Sequence, residues 1–427
     1  MNTNTLTKKT VLQTIDRRPR TLAETLFYKY LAKAKQGSLR LRFEGSDEEK
    51  ILGQSGESGP VMIVKSDRFF WKALRYGEVG FGEAFVDGLW TTDDLTGVLS
   101  WFQANASSTP TFSANRSSPL VANLLGFVNR IRHAMRKNTR KNSVRNIAEH
   151  YDLSNEFFRL ILDETMAYSS AVFTPSATLS QAQVHKFEMI CKKLALRPGM
   201  NVLEIGCGWG GFAAYAAEQY GVSVEAVTIS KQQFEFTRAM VEKRQLGDRI
   251  KVRLIDYRDL KGQYDRIVSI EMVEALGFQY MDAYFSKVNA LLKHDGIFVM
   301  QAIFFPDPYY PRYLRSTDWT QKYVFPGSCL LSLHETMKSL HRTGDLIVWD
   351  VESLGPHYAE TLRRWRNNLF AREGQIRALG MDDRFFRIWN YYFSFCEVGF
   401  QTRYINDMQI VMARPMNRNL ESRKLSS

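Results

Sequence analysis

Apolar segments alternate with amphipathic ones along most of the chain after residue 178, and this alternation limits the fold more than any other feature. The apolar segments are the predicted strands, at 201–205, 223–229, 251–255, 265–270 and 296–303. The predicted helices are 180–194, 213–220, 231–245 and 280–293. The helix over 180–194 has a predicted apolar face of Val184, Phe187, Ile190, Cys191 and Leu194. Strands alternating with helices build βαβ units, so we predict an α/β fold with a parallel, doubly wound sheet.

A glycine-rich turn, GCGWGG at 206–211, follows the first of these strands and opens a helix. Glycine lets the backbone approach a ligand closely, and a helix N-terminus presents free N–H donors. Such a turn suits NAD, FAD or S-adenosylmethionine, or serves only as a tight turn. A dinucleotide site needs an acidic residue further on, but the next strand ends in Thr228 and Ser230, with Glu225 inside it. The turn resembles the first motif of class I S-adenosylmethionine-dependent methyltransferases.

The N-terminal part predicts a small mixed α+β domain over 1–105. Its predicted elements are an amphipathic helix, which begins near Leu22 and continues through Leu26, Phe27 and Tyr30, short strands at 39–43 and 59–66, and a helix at 95–104. Small polar residues at 105–118 predict a linker. We therefore divide the chain into three parts: the N-terminal domain, a linker with a basic amphipathic helix over 106–144, and a catalytic domain over 145–427.

The charge balance favours an anionic partner. The chain carries 57 Lys and Arg against 45 Asp and Glu, a net charge of +12. Seven basic residues and no acidic one lie between 130 and 145. This segment is either a solvated connector or an interfacial helix, and each basic residue near an anionic leaflet contributes about 1 kcal/mol. An N/D-P-P-Y/F base-methylation motif is missing, which argues against a nucleic-acid substrate.

Sequence features that would indicate export, a membrane span or a metal site are absent. There is no run of eighteen apolar residues and no apolar signal region near the N-terminus. The four cysteines have neither CxxC spacing nor a nearby His cluster, so we predict no metal site and no disulfide framework. A reducing cytoplasm is the expected compartment.

Seven longer stretches point to one family. They are HYDLSNEFF at 150–158, YSSA at 168–171, VTISKQQ at 227–233, DYRDL at 256–260, SIEMVE at 269–274, YVFPG at 323–327 and GPHY at 355–358. Together they resemble the cyclopropane-fatty-acyl-phospholipid synthase family, which includes the mycolic acid methyltransferases, over about 145–415. The segment 77–90 resembles the N-terminal domain of the phospholipid-acting members. The resemblance implies a Rossmann-like class I methyltransferase sheet, mostly parallel with an antiparallel C-terminal strand.

The resemblance also implies a cofactor site for S-adenosylmethionine. The residues that would form it are Tyr168, Ser169, Gly206, Gly208, Thr228, Ile229, Ser230, Gln233, Tyr257, Arg258 and Ile270. The nucleophile would be a carbon–carbon double bond in a lipid chain, and the enzyme would stabilise a carbocation and remove a proton. Aromatic faces stabilise such a cation, and the candidates are Tyr168, Phe173, Trp209 and Tyr358.

Many family members use a bound bicarbonate as the base. By resemblance this chain keeps three residues that would hold the anion, Glu274, Tyr358 and Cys396. It departs at two others, with Ser170 in place of a Cys and Gln301 in place of a His. These departures weaken the expectation of bicarbonate. Glu271 is a carboxylate near the same strand end, and it either replaces bicarbonate as the base or is a solvated residue.

The resemblance implies that the enzyme makes cyclopropane rings on unsaturated acyl chains of membrane phospholipids. It would dock peripherally on the anionic inner face of the membrane, and a homodimer is compatible with it. The two departures leave open a methylene- or methyl-branched product, and also a non-catalytic protein that binds lipid or cofactor.

Overall fold

The computed structural model describes residues 21–54, 58–106 and 154–420. The chain divides into two compact units. The first unit contains the N-terminal segment through Ile131 together with Arg315–Lys322 and Asp382–Val398. The second contains Arg132–Leu314, Tyr323–Met381 and Gly399–Ser427.

The first unit is a mixed α+β structure, as predicted. Its elements are α1 (Leu22–Leu31), β1 (Ser38–Phe43), β2 (Glu49–Gly53), β3 (Val61–Val64), α2 (Arg68–Val86), β4 (Trp90–Thr91) and α3 (Leu95–Ala104). The described strands form a sheet in the order β2-β1-β3-β4. The apolar positions predicted for α1 differ in their burial. Phe27 is fully buried beside Ala23 and Leu31, Leu26 and Tyr30 are half-buried, and Leu22 is 68% exposed.

Two segments from late in the chain join this unit, which the three-part division did not predict. Gly82 on α2 explains part of this packing. A Cβ atom at Gly82 would lie 2.6 Å from the Trp319 ring and 2.7 Å from the Tyr391 ring. The glycine therefore lets two later aromatic side chains lie directly against α2. The predicted linker and the basic segment at 130–145 lie outside the described residues, so their boundaries and roles stay predictions.

The remaining elements follow in chain order. They are α4 (Asn155–Ile161), α5 (Leu179–Lys193), β5 (Asn201–Ile205), α6 (Gly211–Tyr220), β6 (Ser223–Thr228), α7 (Lys231–Lys243), β7 (Ile250–Leu254), β8 (Tyr264–Ile270), α8 (Met281–Leu291), β9 (Leu292–Phe304), α9 (Tyr310–Tyr313), α10 (Trp319–Tyr323), α11 (Leu333–Thr343), β10 (Ile347–Ser353), α12 (Gly355–Ala371), α13 (Glu373–Ala378), α14 (Asp383–Gln401) and β11 (Asn406–Ala413).

The second unit contains a seven-stranded sheet in the order β10-β11-β9-β8-β5-β6-β7 within the described chain. Strands β5 to β9 pair in parallel. The last strand, β11, is antiparallel to β9 and to β10. Two clusters of buried apolar side chains pack on the sheet and its helices. This confirms the predicted α/β, doubly wound sheet with an antiparallel C-terminal strand.

The buried face of α5 differs from the prediction. Val184 is 37% exposed, whereas Gln183 and Lys186 are fully buried beside Phe187 and Ile190. The helix therefore turns two polar side chains into the interior, where they reach the loop that precedes it. Within the described part of the chain, none of the helices has the length and apolarity needed to cross a membrane.

Candidate active site

The glycine-rich turn lies at the carboxyl end of β5, where ligands of parallel α/β sheets bind. Gly206 and Gly208 have φ angles of 84° and 52°, which favour glycine. A Cβ atom at Gly206 would lie 2.3 Å from Cγ of Met272, whereas one at Gly208 would meet nothing within 4 Å. The turn therefore leaves open space against bare backbone beside Gly208, and this space fits the cofactor that the motif implies.

Three predicted cofactor residues form a polar cluster at the end of β6. The Thr228 hydroxyl donates to Oε1 of Gln233 at 2.8 Å, and the Ser230 N–H donates to the Thr228 hydroxyl at 3.1 Å. Ser230 also caps α7 by accepting from the Gln233 N–H. All three side chains are buried, and Ile229 between them is half-buried. The cluster fixes the strand end next to the glycine turn in the sheet.

Tyr257 and Arg258 follow β7. Tyr257 is buried against Tyr284, with ring centroids 5.4 Å apart. Its hydroxyl has no hydrogen-bond partner among the described residues. Arg258 pairs with Asp256 through Nε at 2.8 Å. The buried Tyr257 hydroxyl is therefore a group to which a bound ligand would supply the missing hydrogen-bond partner.

Glu271 is the centre of the site. It follows β8, and its Oε1 accepts from the Ser170 N–H at 2.7 Å and from Nε2 of Gln301 at 2.8 Å. Its Oε2 accepts from the Tyr358 hydroxyl at 2.6 Å. The structure thus brings together four of the six predicted catalytic residues around one carboxyl group. Burial raises the pKa of Glu271, while these hydrogen bonds and Lys186 oppose that rise.

The backbone of Glu271 is strained. Its φ is 46°, in the left-handed region that residues other than glycine seldom adopt. Residue 271 as a whole is half-buried, and its partners Ser170, Gln301 and Tyr358 are buried. Strained residues of this kind occur at active sites, where the surrounding structure holds them in place.

A second carboxyl group shares the amide of Gln301. Nε2 of Gln301 donates to Oδ2 of Asp407 at 2.9 Å as well as to Glu271. Asp407 is fully buried on β11, and its Oδ1 has no hydrogen-bond partner within the described part of the chain. Burial and the nearby carboxyls Glu271 and Glu274 raise the pKa of Asp407 well above its usual range.

Glu274 lies one turn beyond Glu271 and is also buried. Its Oε1 accepts from the Ile303 N–H at 2.6 Å, and its Oε2 has no partner among the described residues. Burial, together with Glu271, raises the pKa of Glu274 to about 8. The structure therefore places Glu274 beside the network around Glu271 rather than within its hydrogen bonds.

The loop at 168–171 is tied to α5. Nζ of Lys186 donates to the Ser169 hydroxyl at 2.7 Å, and Nε2 of Gln183 donates to the Ser169 carbonyl at 2.9 Å. The side-chain hydroxyl of Ser170 donates to the Ala171 carbonyl rather than to Glu271. Ser169 and Ser170 thus contribute mainly by fixing the loop and presenting the Ser170 N–H to the carboxyl group.

Aromatic side chains adjoin the Glu271 network. The Tyr168 ring lies 5.0 Å from Trp365 and 5.3 Å from Phe158, and Phe158 lies 4.9 Å from Trp209. The Tyr358 ring lies 6.2 Å from Trp365. Tyr168, Trp209 and Tyr358 are therefore linked through Phe158 and Trp365 in one aromatic array, which meets Glu271 at the Tyr358 hydroxyl.

The remaining predicted residues have other surroundings. Phe173 stacks on His357 and receives Arg364 on its face, with the guanidinium carbon 5.6 Å from the ring centroid. Ile270 ends β8 opposite Gln301. Cys396 belongs to the first unit, whereas Glu271 belongs to the second. The pKa of the Cys396 thiol is raised by burial and by Asp318.

Sequence reasoning missed Lys186, Glu204 and Asp407 as members of the site. Glu204 is buried on β5 immediately before the turn, and burial raises its pKa well above the usual range. The sequence held one signal for these residues. Glu204 and Asp407 are charged residues in mostly apolar strands, and Lys186 is a charged residue beside the apolar positions of a helix. Such residues are seldom fully buried unless they have a specific role.

Known lipid-modifying enzymes are similar to this chain. The family model described as mycolic acid cyclopropane synthetase matches residues 138–410. The chain is 34% identical to tuberculostearic acid methyltransferase of Mycobacterium tuberculosis, over 88% of each sequence. It is 36% identical to cyclopropane-fatty-acyl-phospholipid synthase of Escherichia coli, over 85% of this chain and 90% of that protein.

A solved structure of a mycolic acid cyclopropane synthase in complex with SAH and CTAB matches with a TM-score of 0.59 and 34% identity. The match covers 63% of this chain and 97% of that one. The cyclopropane synthase MmaA2 of Mycobacterium tuberculosis gives the same TM-score at 29% identity, over 64% of this chain and 98% of that one. The chain therefore belongs to the mycolic acid cyclopropane synthetase family and is an S-adenosylmethionine-dependent methyltransferase.

Proposed function

We propose that this enzyme methylates the double bond of an unsaturated acyl chain in a membrane phospholipid and that Glu271 removes the proton that must leave afterwards. The observation that carries the proposal is the Glu271 carboxylate, held by Ser170, Gln301 and Tyr358 next to an aromatic array. When bound, S-adenosylmethionine supplies an electrophilic methyl group. The turn at Gly206 and Gly208 would hold it at the end of β5.

An alkene needs no deprotonation before it attacks, so the protein has two tasks. The aromatic array of Tyr168, Trp365 and Tyr358 stabilises the carbocation left on the acyl chain through its ring faces. Glu271 accepts a proton from the newly attached methyl group. Its three hydrogen bonds fix the carboxylate in position, which supports proton removal ahead of attack on the cation. Bicarbonate is not required when a side-chain carboxylate serves as the base.

The product depends on when the proton leaves. Direct loss from the new methyl group closes a cyclopropane ring. A hydride shift along the chain before that loss gives a methylene branch. We propose cyclopropane formation because Glu271 is part of the protein and needs no recruited anion, so deprotonation is prompt.

A second candidate is formation of a methylene- or methyl-branched chain. The Ser170 and Gln301 departures favour it, since neither side chain carries positive charge and Glu271 accepts hydrogen bonds from three partners. Three hydrogen bonds to a carboxylate lower its basicity and slow proton removal. The similarity to a tuberculostearic acid methyltransferase also supports this candidate.

The experiment is lipid analysis in a host that makes unsaturated phospholipids but lacks such an enzyme. We expect acyl chains heavier by one CH₂, with cyclopropane proton signals by NMR. Vinylidene signals at the same mass would support the branched product. Unchanged unsaturated chains with intact cofactor binding would contradict methyl transfer and favour a non-catalytic binding protein.

We further propose that the enzyme binds the anionic inner face of the membrane peripherally and forms a homodimer. The net charge of +12 supports attraction to anionic lipid. Flotation with vesicles of anionic and of neutral phospholipid, and sedimentation of the free protein, test the two statements. Equal binding to both kinds of vesicle would contradict the preference for anionic membrane. A monomer at micromolar concentration would contradict the homodimer.

Replacement of Tyr358 by Phe tests how the carboxylate is held. The substitution keeps the ring and removes the hydroxyl that donates to Oε2 of Glu271 at 2.6 Å. A hydrogen bond to a charged group contributes about 1.5–3 kcal/mol, so we expect kcat to fall roughly 10- to 100-fold. The cofactor Kd should stay within about twofold, and steady-state kinetics with titration of S-adenosylmethionine measure both.

Tyr220→Phe is the matched control, because the Tyr220 hydroxyl donates to Oε2 of Glu188 at 2.8 Å away from the site. Its kcat should equal that of the wild type. An unchanged kcat in Tyr358→Phe would show that the hydroxyl does not support the base.

A further inference from the structure

Lys186 is a buried cation that the proposed chemistry has not used. It lies on α5 with no exposed surface, and its Nζ donates to the Ser169 hydroxyl at 2.7 Å. Four carboxyl groups from four other parts of the second unit act on it through space. They are Glu271 after β8, Asp163 after α4, Asp407 on β11 and Glu204 on β5.

We infer that Lys186 is a positioning residue for Glu271: through Ser169 it fixes the loop that holds the carboxyl group, and its charge keeps that group ionised. The inference rests on the proposed role of Glu271 as the proton acceptor. It adds Lys186, on α5, to the residues that position the Glu271 carboxyl group.

The first part of the inference follows from consecutive hydrogen bonds. Lys186 and Gln183 hold the hydroxyl and the carbonyl of Ser169. The next residue, Ser170, donates its N–H to Oε1 of Glu271 at 2.7 Å. The position of this donor therefore depends on the anchor that α5 provides. Movement of the loop would remove one of the three hydrogen bonds that hold the carboxylate.

The second part follows from charge balance. One ammonium group cannot neutralise four ionised carboxylates inside a protein, where unpaired charge is costly. Burial raises the pKa values of Asp407 and Glu204 well above their usual range, which favours the neutral forms of both groups. Glu271 alone receives hydrogen bonds from Tyr358, Ser170 and Gln301 together. Of the four carboxyl groups, Glu271 is the one that consecutive hydrogen bonds connect to Lys186, through Ser169 and Ser170.

The pH dependence of kcat tests this pairing. Activity should fall on the acid side as Glu271 takes up a proton. It should also fall on the alkaline side, since burial lowers the pKa of Lys186 to about 8. Lys186→Arg keeps the charge at every working pH, so its alkaline limb should move up by about one pH unit or more.

Lys186→Met removes the charge and the anchor. We expect kcat at pH 7 to fall roughly tenfold or more, and the acid limb to move up by about one pH unit. Ser169→Ala keeps the charge but loses the anchor, so its rate should fall while both limbs stay in place. Lys192→Met, on the same helix but with a side chain 70% exposed, should match the wild type.

Thermal unfolding and titration of S-adenosylmethionine confirm that each variant is folded and binds the cofactor. A wild-type rate and profile in Lys186→Met would overturn the inference. If that variant does not fold, an unchanged alkaline limb in Lys186→Arg would overturn it equally. Retained activity in Glu271→Gln would instead refute the proposed base, so the two failures are distinguishable.

Discussion

Glu271→Gln is expected to lose methyl transfer by about 10²- to 10⁴-fold in kcat, the usual contribution of a positioned general base. Glutamine keeps the size of the side chain and an oxygen that accepts from the Ser170 N–H. It cannot accept a proton from the substrate. The loss should therefore appear in kcat, while S-adenosylmethionine binds as in the wild type. Lipid product formation and cofactor titration measure the two quantities.

The matched control is Glu188→Gln. Glu188 is also a carboxylate that accepts from tyrosine, here Tyr215 and Tyr220, but it lies on the outer side of α5. Its activity should be unchanged. Wild-type activity should not depend on added bicarbonate, because Glu271 needs no recruited anion. A requirement for bicarbonate, or a Glu271→Gln variant within tenfold of the wild type, would contradict the assignment.

Gly206→Ala is expected to weaken the binding of S-adenosylmethionine strongly. A Cβ atom there would lie 2.3 Å from Cγ and 2.7 Å from Cβ of Met272, and the φ of 84° disfavours any side chain. The turn must shift to relieve the clash with Met272 and the disfavoured φ angle. This shift also moves the backbone that approaches the cofactor. Isothermal titration should show a Kd weakened by roughly 100-fold or more, which corresponds to about 2.7 kcal/mol.

Gly199→Ala separates backbone strain from the steric clash. Gly199 has a similar φ of 82°, but a Cβ atom there meets nothing within 4 Å. The substitution places alanine in the left-handed backbone conformation, which lowers stability by about 1–2 kcal/mol. Cofactor binding should be retained. Wild-type affinity in Gly206→Ala would show that the turn does not define the cofactor site.

The sheet was predictable because its strands are short, apolar and bounded by turns. The strand predicted at 201–205 matches β5. The Gly- and aromatic-rich segment at 69–90 gave no such signal, and most of it is the helix α2. Gly77, with φ 58° and ψ −135°, breaks the helical geometry inside it. Glycines weaken helix propensity, so only packing against other elements makes this segment helical.

The site was predictable where a motif marked it and not elsewhere. Ser170, Gln301 and Tyr358 were candidates from the resemblance. Glu271 was a candidate from its place near the same strand end as Glu274, and the structure joins all four by hydrogen bonds. Asp407 lies far from these motifs in sequence, and it reaches Gln301 only because β11 pairs antiparallel with β9. Such proximity depends on strand register, which a local pattern does not specify.

The left-handed backbone of Glu271 sets a conformational penalty against the three hydrogen bonds of its side chain. Glycine adopts a φ of 46° without the penalty of about 1–2 kcal/mol that an L-residue carries. Glycine at 271 would, however, leave the Ser170 N–H, the Gln301 amide and the Tyr358 hydroxyl without their shared acceptor. Each buried donor left unpaired costs about 1–3 kcal/mol. The carboxyl group that the chemistry needs therefore also offsets the strain of its own backbone, and Glu271→Gly should lower the melting temperature as well as the activity.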